Sequence, residues 1–285
     1  MREQTMTHLW TDPDSVPAGT ILVGWDGSSP AALVWAVRHA RGERRPITVA
    51  KGLAAHVAGD VEVWPAEDEC RAVAEGIRAE AQVVLDEHGP GTEVHVVAAP
   101  GQSRAMLRAL SQDAEMVVVG SHGRGPVGSK VLGSVSVAVV REAQCPVVVI
   151  RPQHDPGELS HGILAAVDVD DATALAVVEF AVHEASVLGQ QLTVVHAVPE
   201  DGSGIIVDNA RRQLSELLAG VREKYPDVTC LPVVQRGRTH DVVLDQSRDR
   251  YLTVIGNPRH QRHHGTTSAS RILERATVPV AVVPL

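Results

Sequence analysis

The chain has 285 residues, of which 44% are hydrophobic and 21% charged, and its formal net charge is -9 at pH 7. That balance describes a globular chain with a real core, and it excludes a general nucleic-acid or anionic-membrane surface, since both need a basic footprint. Only 2% of the residues are aromatic, so the core is built from Val, Ala and Leu, in short runs that suit strands covered on both faces of a parallel sheet.

Cys70, Cys145 and Cys230 lie far apart with no paired spacing, which suggests neither a zinc site nor a disulfide framework. Cys145, ahead of Pro146 at a strand start, reads as a small buried hydrophobe. The first residues lack the apolar core of a signal peptide, and no run approaches the roughly 18 apolar residues that cross a bilayer. A cytoplasmic protein with no membrane partner is expected.

Residues 1–18 are polar and hold Pro13 and Pro17, which predicts a flexible N-terminal tail. ILVGWD (Ile21–Asp26) reads as a buried strand. Ser28 or Ser29 is placed to cap a helix with Pro30 in its first turn, and that helix, AALVWAVRHAR, stops at Gly42. A strand at Ile47–Ala50 leads through a connecting segment rich in Gly, Ala and acid to a long helix over Ala66–His88, ended by Gly89. Val73, Ile77, Val84 and Leu85 share one face of it. A strand at Val94–Ala98, a helix over Ser103–Ser111 and a strand at Met116–Val119 follow. A loop with Gly123, Gly125 and Gly128 then precedes a helix opening at Gly133-Ser134 and a last strand, Val147–Ile150. The βαβαβαβαβ order predicts an α/β, doubly wound, Rossmann-like parallel-sheet domain of five strands.

The second half repeats the plan. ILAAVD (Ile163–Asp168) matches ILVGWD, which sets Asp168 opposite Asp26; LTVVHAV (Leu192–Val198) matches ITVAKGL (Ile47–Leu53). Gly237 and Gly256 stand to Gly101 and Gly120 at one common offset, and VPVAVV (Val278–Val283) matches CPVVVI (Cys145–Ile150). This is a tandem duplication with its seam at PQHDPGELSHG. Domains at residues 19–154 and 160–285 are expected.

The stretch from Met116 to Arg151 is the one that asks for a ligand. A glycine-rich loop between a strand and a helix exposes backbone N–H groups, and the helix N-terminus adds a partial positive charge, so phosphate is its natural ligand. A plain surface connection is the other reading of such a loop. Ligands of an open parallel sheet bind beyond the carboxyl ends of the strands, where the strand order reverses. With the first strand central and the fourth beside it, that crevice is lined by the loops after Trp25 and after Val119. Gly123-x-Gly125-x-x-Gly128 satisfies a dinucleotide-type spacing, but it follows the fourth strand and contains Pro126. GRGPVGSK departs from a P-loop because Ser129 separates Gly128 from Lys130.

A third pattern fits better. Gly120-x2-Gly123-x9-Gly133-Ser134, after a strand and opening a helix, resembles the ATP-binding signature of the universal stress protein family. The flanks VVVGSHGRG, GSVS and QCPVVVIRP agree, as does an early strand running into Asp26-Gly27-Ser28. The resemblance covers both halves, as in a tandem member. It implies that Asp26 lies at the ribose and phosphate edge, that Val119, Gly120 and Gly123 border the adenosine, and that Gly133, Ser134, Val135 and Ser136 cradle the phosphates. It also implies an adenine-side residue near Gly52 or Leu53. The implied ligand is ATP, with Mg on its phosphates. The implied output is ligand-linked regulation in the stress response through a regulatory protein partner, with a homodimer as the assembly.

The phosphate role has independent physical support, because the amides of Ser134 and Val135 are unpaired donors at a helix start and Gly133 allows close approach. Asp26 as a turn residue, Ser134 as an N-cap, His122 as a structural residue and Lys130 as a solvated cation are the plainer readings beside it. No residue reads as a nucleophile or general base aimed at a γ-phosphate. A slow ATP hydrolase, a nucleotidyl-transfer enzyme and an interaction module without nucleotide are the alternatives.

After Gly256 the second half departs from the signature: the motif glycines are replaced by Arg259 and Ala269, and the shortened loop leaves Gly265-Thr266-Thr267 as the nearest substitute for Gly133-Ser134. Asp168 is followed by Val169-Asp170-Asp171, which adds negative charge. This half is expected to bind ATP weakly or not at all. His260, His263 and His264, with Arg259 and Arg262, read as a solvated basic loop, with an anion site as the alternative.

Overall fold

A computed structural model describes residues 16–27, 30–58, 60–121, 132–151, 162–257 and 267–284. The chain divides into two compact units, the first ending and the second beginning between Arg151 and Gly162. The first holds β1 (Ile21–Gly24), α1 (Ala31–Glu43), β2 (Ile47–Leu53), β3 (His56–Ala58), β4 (Val61–Val63), α2 (Glu67–His88), β5 (Val94–Pro100), α3 (Ser103–Leu110), β6 (Met116–Gly120), α4 (Ser134–Glu142) and β7 (Val147–Ile150). Its parallel strands lie in the order β5-β2-β1-β6-β7. Contacts pair α1 with α2 and α3 with α4, each pair against the sheet, which gives the doubly wound arrangement that alternating strands and helices require.

The second unit holds β8 (Ile163–Ala166), α5 (Ala174–Val187), β9 (Leu192–Val198), α6 (Gly204–Lys224), β10 (Cys230–Arg236), α7 (Thr239–Gln246), β11 (Leu252–Gly256), α8 (Ser268–Arg275) and β12 (Val280–Val283). Its parallel order is β10-β9-β8-β11-β12. The duplication extends to single residues. Gly101 and Gly237 adopt φ of 137° and 139°, open to glycine alone, and their amides donate to Leu53 O and Val198 O at 2.9 Å each.

The cores follow the composition. Strands β1, β6, β7, β8, β11 and β12 are buried and consist largely of Val, Ile, Leu and Ala. Buried Trp35 stacks on His39 with centroids 4.6 Å apart and an interplanar angle of 9°. Glu69 reaches back to accept from the Ala66 amide at 2.9 Å, and Glu67, Asp68 and Glu69 in the first turn of α2 oppose its dipole.

Two elements differ from expectation. α1 continues through Gly42 to Glu43, because Arg44 takes the left-handed C-cap position (φ 54°, ψ 38°) and its amide bonds Ala40 O. The connecting segment after β2 is an antiparallel ribbon, β3 with β4, and it exposes Val57, Val61 and Val63. No helix among the described residues is long and apolar enough to cross a membrane.

The cysteines are buried, and burial pushes the Cys145 thiol from 9.0 up to about 12 and raises Cys70 and Cys230 as well. A raised folded-state pKa gives a contribution that is complete below the unfolded value and is lost as pH rises toward the folded one. The fold therefore loses stability as pH climbs from about 9 towards 12. In urea titrations at about pH 8 and about pH 10.5, the Cys145→Ala variant is expected to lose less stability than the parent over that interval. Equal losses would contradict the assignment.

Candidate functional site

In the first domain the strand order turns at β1, with β2 on one side and β6 on the other. The Trp25 amide donates to Ala50 O at 2.9 Å, which extends the pairing one residue beyond β1. Half-buried Asp26 then leaves the sheet at its carboxyl end, and Gly27 turns the chain with φ 79°. Ser28 and Ser29 lie outside the described residues.

The end of β6 supplies the opposite wall. Val119 is buried, and its Cγ1 lies 3.1 Å from where a Cβ on Gly24 would fall, so its side chain belongs to the core and only its main chain faces outward. Two hydrogen bonds fasten the start of α4 to this strand end. The Gly133 amide donates to Ser121 O at 2.9 Å, and the buried Ser136 hydroxyl donates to Gly120 O at 2.7 Å. A bond of the second kind contributes about 1 kcal/mol net and fixes the helix against the strand.

Gly133 is the N-cap of α4, so no side chain accepts from the first turn. Ser134 is the first helical residue rather than the cap. The first intrahelical bond runs from Val137 N to Gly133 O at 3.0 Å. The amides of Ser134, Val135 and Ser136 precede it, and the first two belong to exposed residues. Open amides, the positive end of the helix dipole and a nearby carboxyl-terminal sheet edge make an anion cradle. Gly123 lies outside the described residues, as do His122, Gly125, Gly128 and Lys130.

Gly52 sits at the same end of the sheet on β2, where its lack of a side chain has a packing cause. A Cβ there falls 2.5 Å from Ser103 N, 2.8 Å from Gln102 C and 2.8 Å from Gly101 O. Its amide donates to Ser103 Oγ, which in turn donates to Gly52 O, both at 3.2 Å.

The second domain closes the equivalent terminus. Thr267, not a glycine, is the N-cap of α8, and its Oγ1 accepts from Ser270 N at 3.2 Å. The counterpart of Gly133-Ser134 is thus Thr267-Ser268, so the cap falls on the last residue of the expected Gly265-Thr266-Thr267. Gly265, Thr266 and the Arg259 to His264 cluster lie outside the described residues. A threonine directly ahead of an amphipathic run is an N-cap signal that the sequence does carry.

Similarity to known proteins agrees with this anatomy. The Universal stress protein family model matches residues 18–151. A universal stress protein of Mycobacterium tuberculosis is 32% identical over 298 residues, covering 92% of this chain and 96% of that protein. The chain belongs to the universal stress protein family. A universal stress protein of Mycolicibacterium smegmatis is 30% identical with the same coverage of both chains, 92% and 96%. The crystal structure of a universal stress protein from Archaeoglobus fulgidus superposes with a TM-score of 0.72 at 18% identity, covering 94% of this chain and 98% of that one. The fit of whole chain to whole chain bears out the tandem universal stress fold. Within that fold the two halves differ at the start of one helix: glycine-capped and open in α4, threonine-capped in α8.

Proposed function

We propose that the chain is an ATP-binding universal stress protein whose first domain holds the nucleotide. In this reading it acts in the cytoplasm, in the stress response, by ligand-linked regulation of a protein partner and as a homodimer. The observation that carries the nucleotide reading is the glycine-capped start of α4, with the open amides of Ser134 and Val135 tied to the end of β6 beside β1. That arrangement suits the charge and the oxygen-rich surface of a polyphosphate.

In this reading Gly133, Ser134, Val135 and Ser136 hold phosphates by their main chain, while the Ser136 hydroxyl stays on Gly120 O. The main chain of Val119 and Gly120 borders the nucleoside, a role the family resemblance extends to Gly123. Asp26 serves the ribose and phosphate side. Gly52 shapes the far wall through its contact with α3. The purified chain incubated with ATP and magnesium is expected to retain nucleotide stoichiometrically without forming product. Steady turnover over many cycles would replace this reading with a hydrolase.

A further inference from the structure

Among the described residues β3 and β4 pair only with each other, and every residue of the two strands is exposed. Val57 is 72% exposed, Val61 62%, and Trp64, directly after β4, 41%. A lone two-stranded hairpin is marginal in water and gains stability from a further strand or from a packed face. The duplication supplies neither, because the second domain has no counterpart of the ribbon: β9 ends at Val198 and α6 begins at Gly204. The matching element is the same ribbon on a second copy of the chain.

Charge distinguishes the two outer edges of the ribbon. β4 consists of Val61, Glu62 and Val63, and β3 of His56, Val57 and Ala58. Edge strands commonly carry a charge that discourages pairing with another chain. Glu62 is that charge on β4, while β3 holds neither carboxylate nor lysine. A two-fold contact that overlaps a whole strand turns about its middle residue. With β4 against β4, Glu62 faces Glu62 of the second copy, Cβ atoms about 4.5–5.5 Å apart, which is destabilising. Slipping that register towards the turn sets Glu62 opposite Asp60 instead. With β3 against β3, Val57 faces Val57 and His56 faces Ala58. Joining β3 to β4 leaves a free edge at each end and adds copies without closure.

The closed arrangement is a sheet in the order β4-β3-β3-β4. Because Val57 pairs with Glu62 inside each ribbon, one face sets the two Val57 side chains at its centre and a Glu62 on each outer strand. Those carboxylates are then three strand spacings, about 14 Å, apart. The other face gathers Ala58, Val61 and Val63 of both copies into one apolar patch. We propose that the ribbon is a self-association surface, and that two copies of the chain join β3 to β3, antiparallel, about Val57. The paired edge spans only about 10 Å, so the association is weak and concentration-dependent, as small interfaces are. The inference names a contact for the homodimer proposed above and rests on that assembly, not on the nucleotide.

Cysteine cross-linking of the full chain tests this contact, since opposed Cβ atoms of an antiparallel pair lie close to disulfide distance and the native Cys70, Cys145 and Cys230 are buried. With oxidised glutathione as oxidant, Val57→Cys is expected to form covalent dimer about tenfold faster than Val61→Cys. The second position is similarly open but lies on the outer strand, away from its copy. In sedimentation over a concentration series the parent is expected to dimerise. Val57→Lys, which sets two cations face to face, is expected to weaken that dimer about tenfold, and Glu62→Gln to leave it no weaker. Both side chains are exposed, so neither substitution disturbs a core. Equal cross-linking rates at the two cysteines, or unchanged association of Val57→Lys, overturn the inference. A parent that dimerises while Val57→Cys stays uncross-linked overturns this surface and leaves the homodimer standing. A parent that is monomeric throughout the series overturns both.

Discussion

Gly133→Asp is expected to weaken ATP binding about 100-fold while leaving the fold as stable as the parent or slightly more so. Aspartate is a favoured N-cap, a few tenths of a kcal/mol better than glycine, because its carboxylate accepts from the first-turn amides and opposes the helix dipole. The same carboxylate occupies the donors that the cradle offers to phosphate and repels the phosphate itself. Losing charge-assisted bonds to those amides costs about 3 kcal/mol of binding, which is about 100-fold in Kd. The backbone tie from Gly133 N to Ser121 O at 2.9 Å is unaffected by a side chain. Titration calorimetry for affinity, with scanning calorimetry for stability, checks both halves of the expectation. A variant that is stable and binds ATP as tightly as the parent would remove α4 from the site.

Gly52→Ala is expected to act in the opposite way, through the fold. The added Cβ falls within 2.8 Å of three main-chain atoms at the start of α3, none of which can rotate away. Overpacking against backbone costs about 3 kcal/mol, or roughly 10 °C in the melting temperature of a domain of this size. Gly76→Ala is the control: Gly76 lies inside α2 with nothing within 4 Å of its Cβ direction. That change is expected to stabilise by about 0.5–1 kcal/mol. Equal melting temperatures for the two variants would show that the contact between Gly52 and α3 is not a rigid one.

The doubly wound order was legible because the strands are Val-rich runs covered on both faces and the helices between them keep their period. The duplication made the alignment firm: β1 and β8 each end two residues before an aspartate, and β2 and β9 stand in the same register with them. The ribbon of β3 and β4 was hidden because its valines are exposed and its strands hold only three residues each, too few for a pattern. The extension of α1 past Gly42 was hidden because the left-handed stop falls on Arg44, a residue type that rarely takes it.

At the site, the spacing from Gly120 to Ser134 identified the helix start, and the family resemblance implied a ligand for it. The division of labour between side chain and main chain is a matter of geometry: Ser136 is a tie to Gly120, Val119 a core residue, and Gly52 a packing requirement. The count placed the substitute for Gly133 within Gly265-Thr266-Thr267 but left open which residue caps α8, because the second loop is shorter and no fixed offset carries across it.

The number of ATP molecules bound per chain tests the account most directly. The open glycine cap in one domain and the filled threonine cap in the other predict one ATP per chain, lost in Gly133→Asp. Two equivalent ATP sites per chain, or one that survives that substitution, would contradict it.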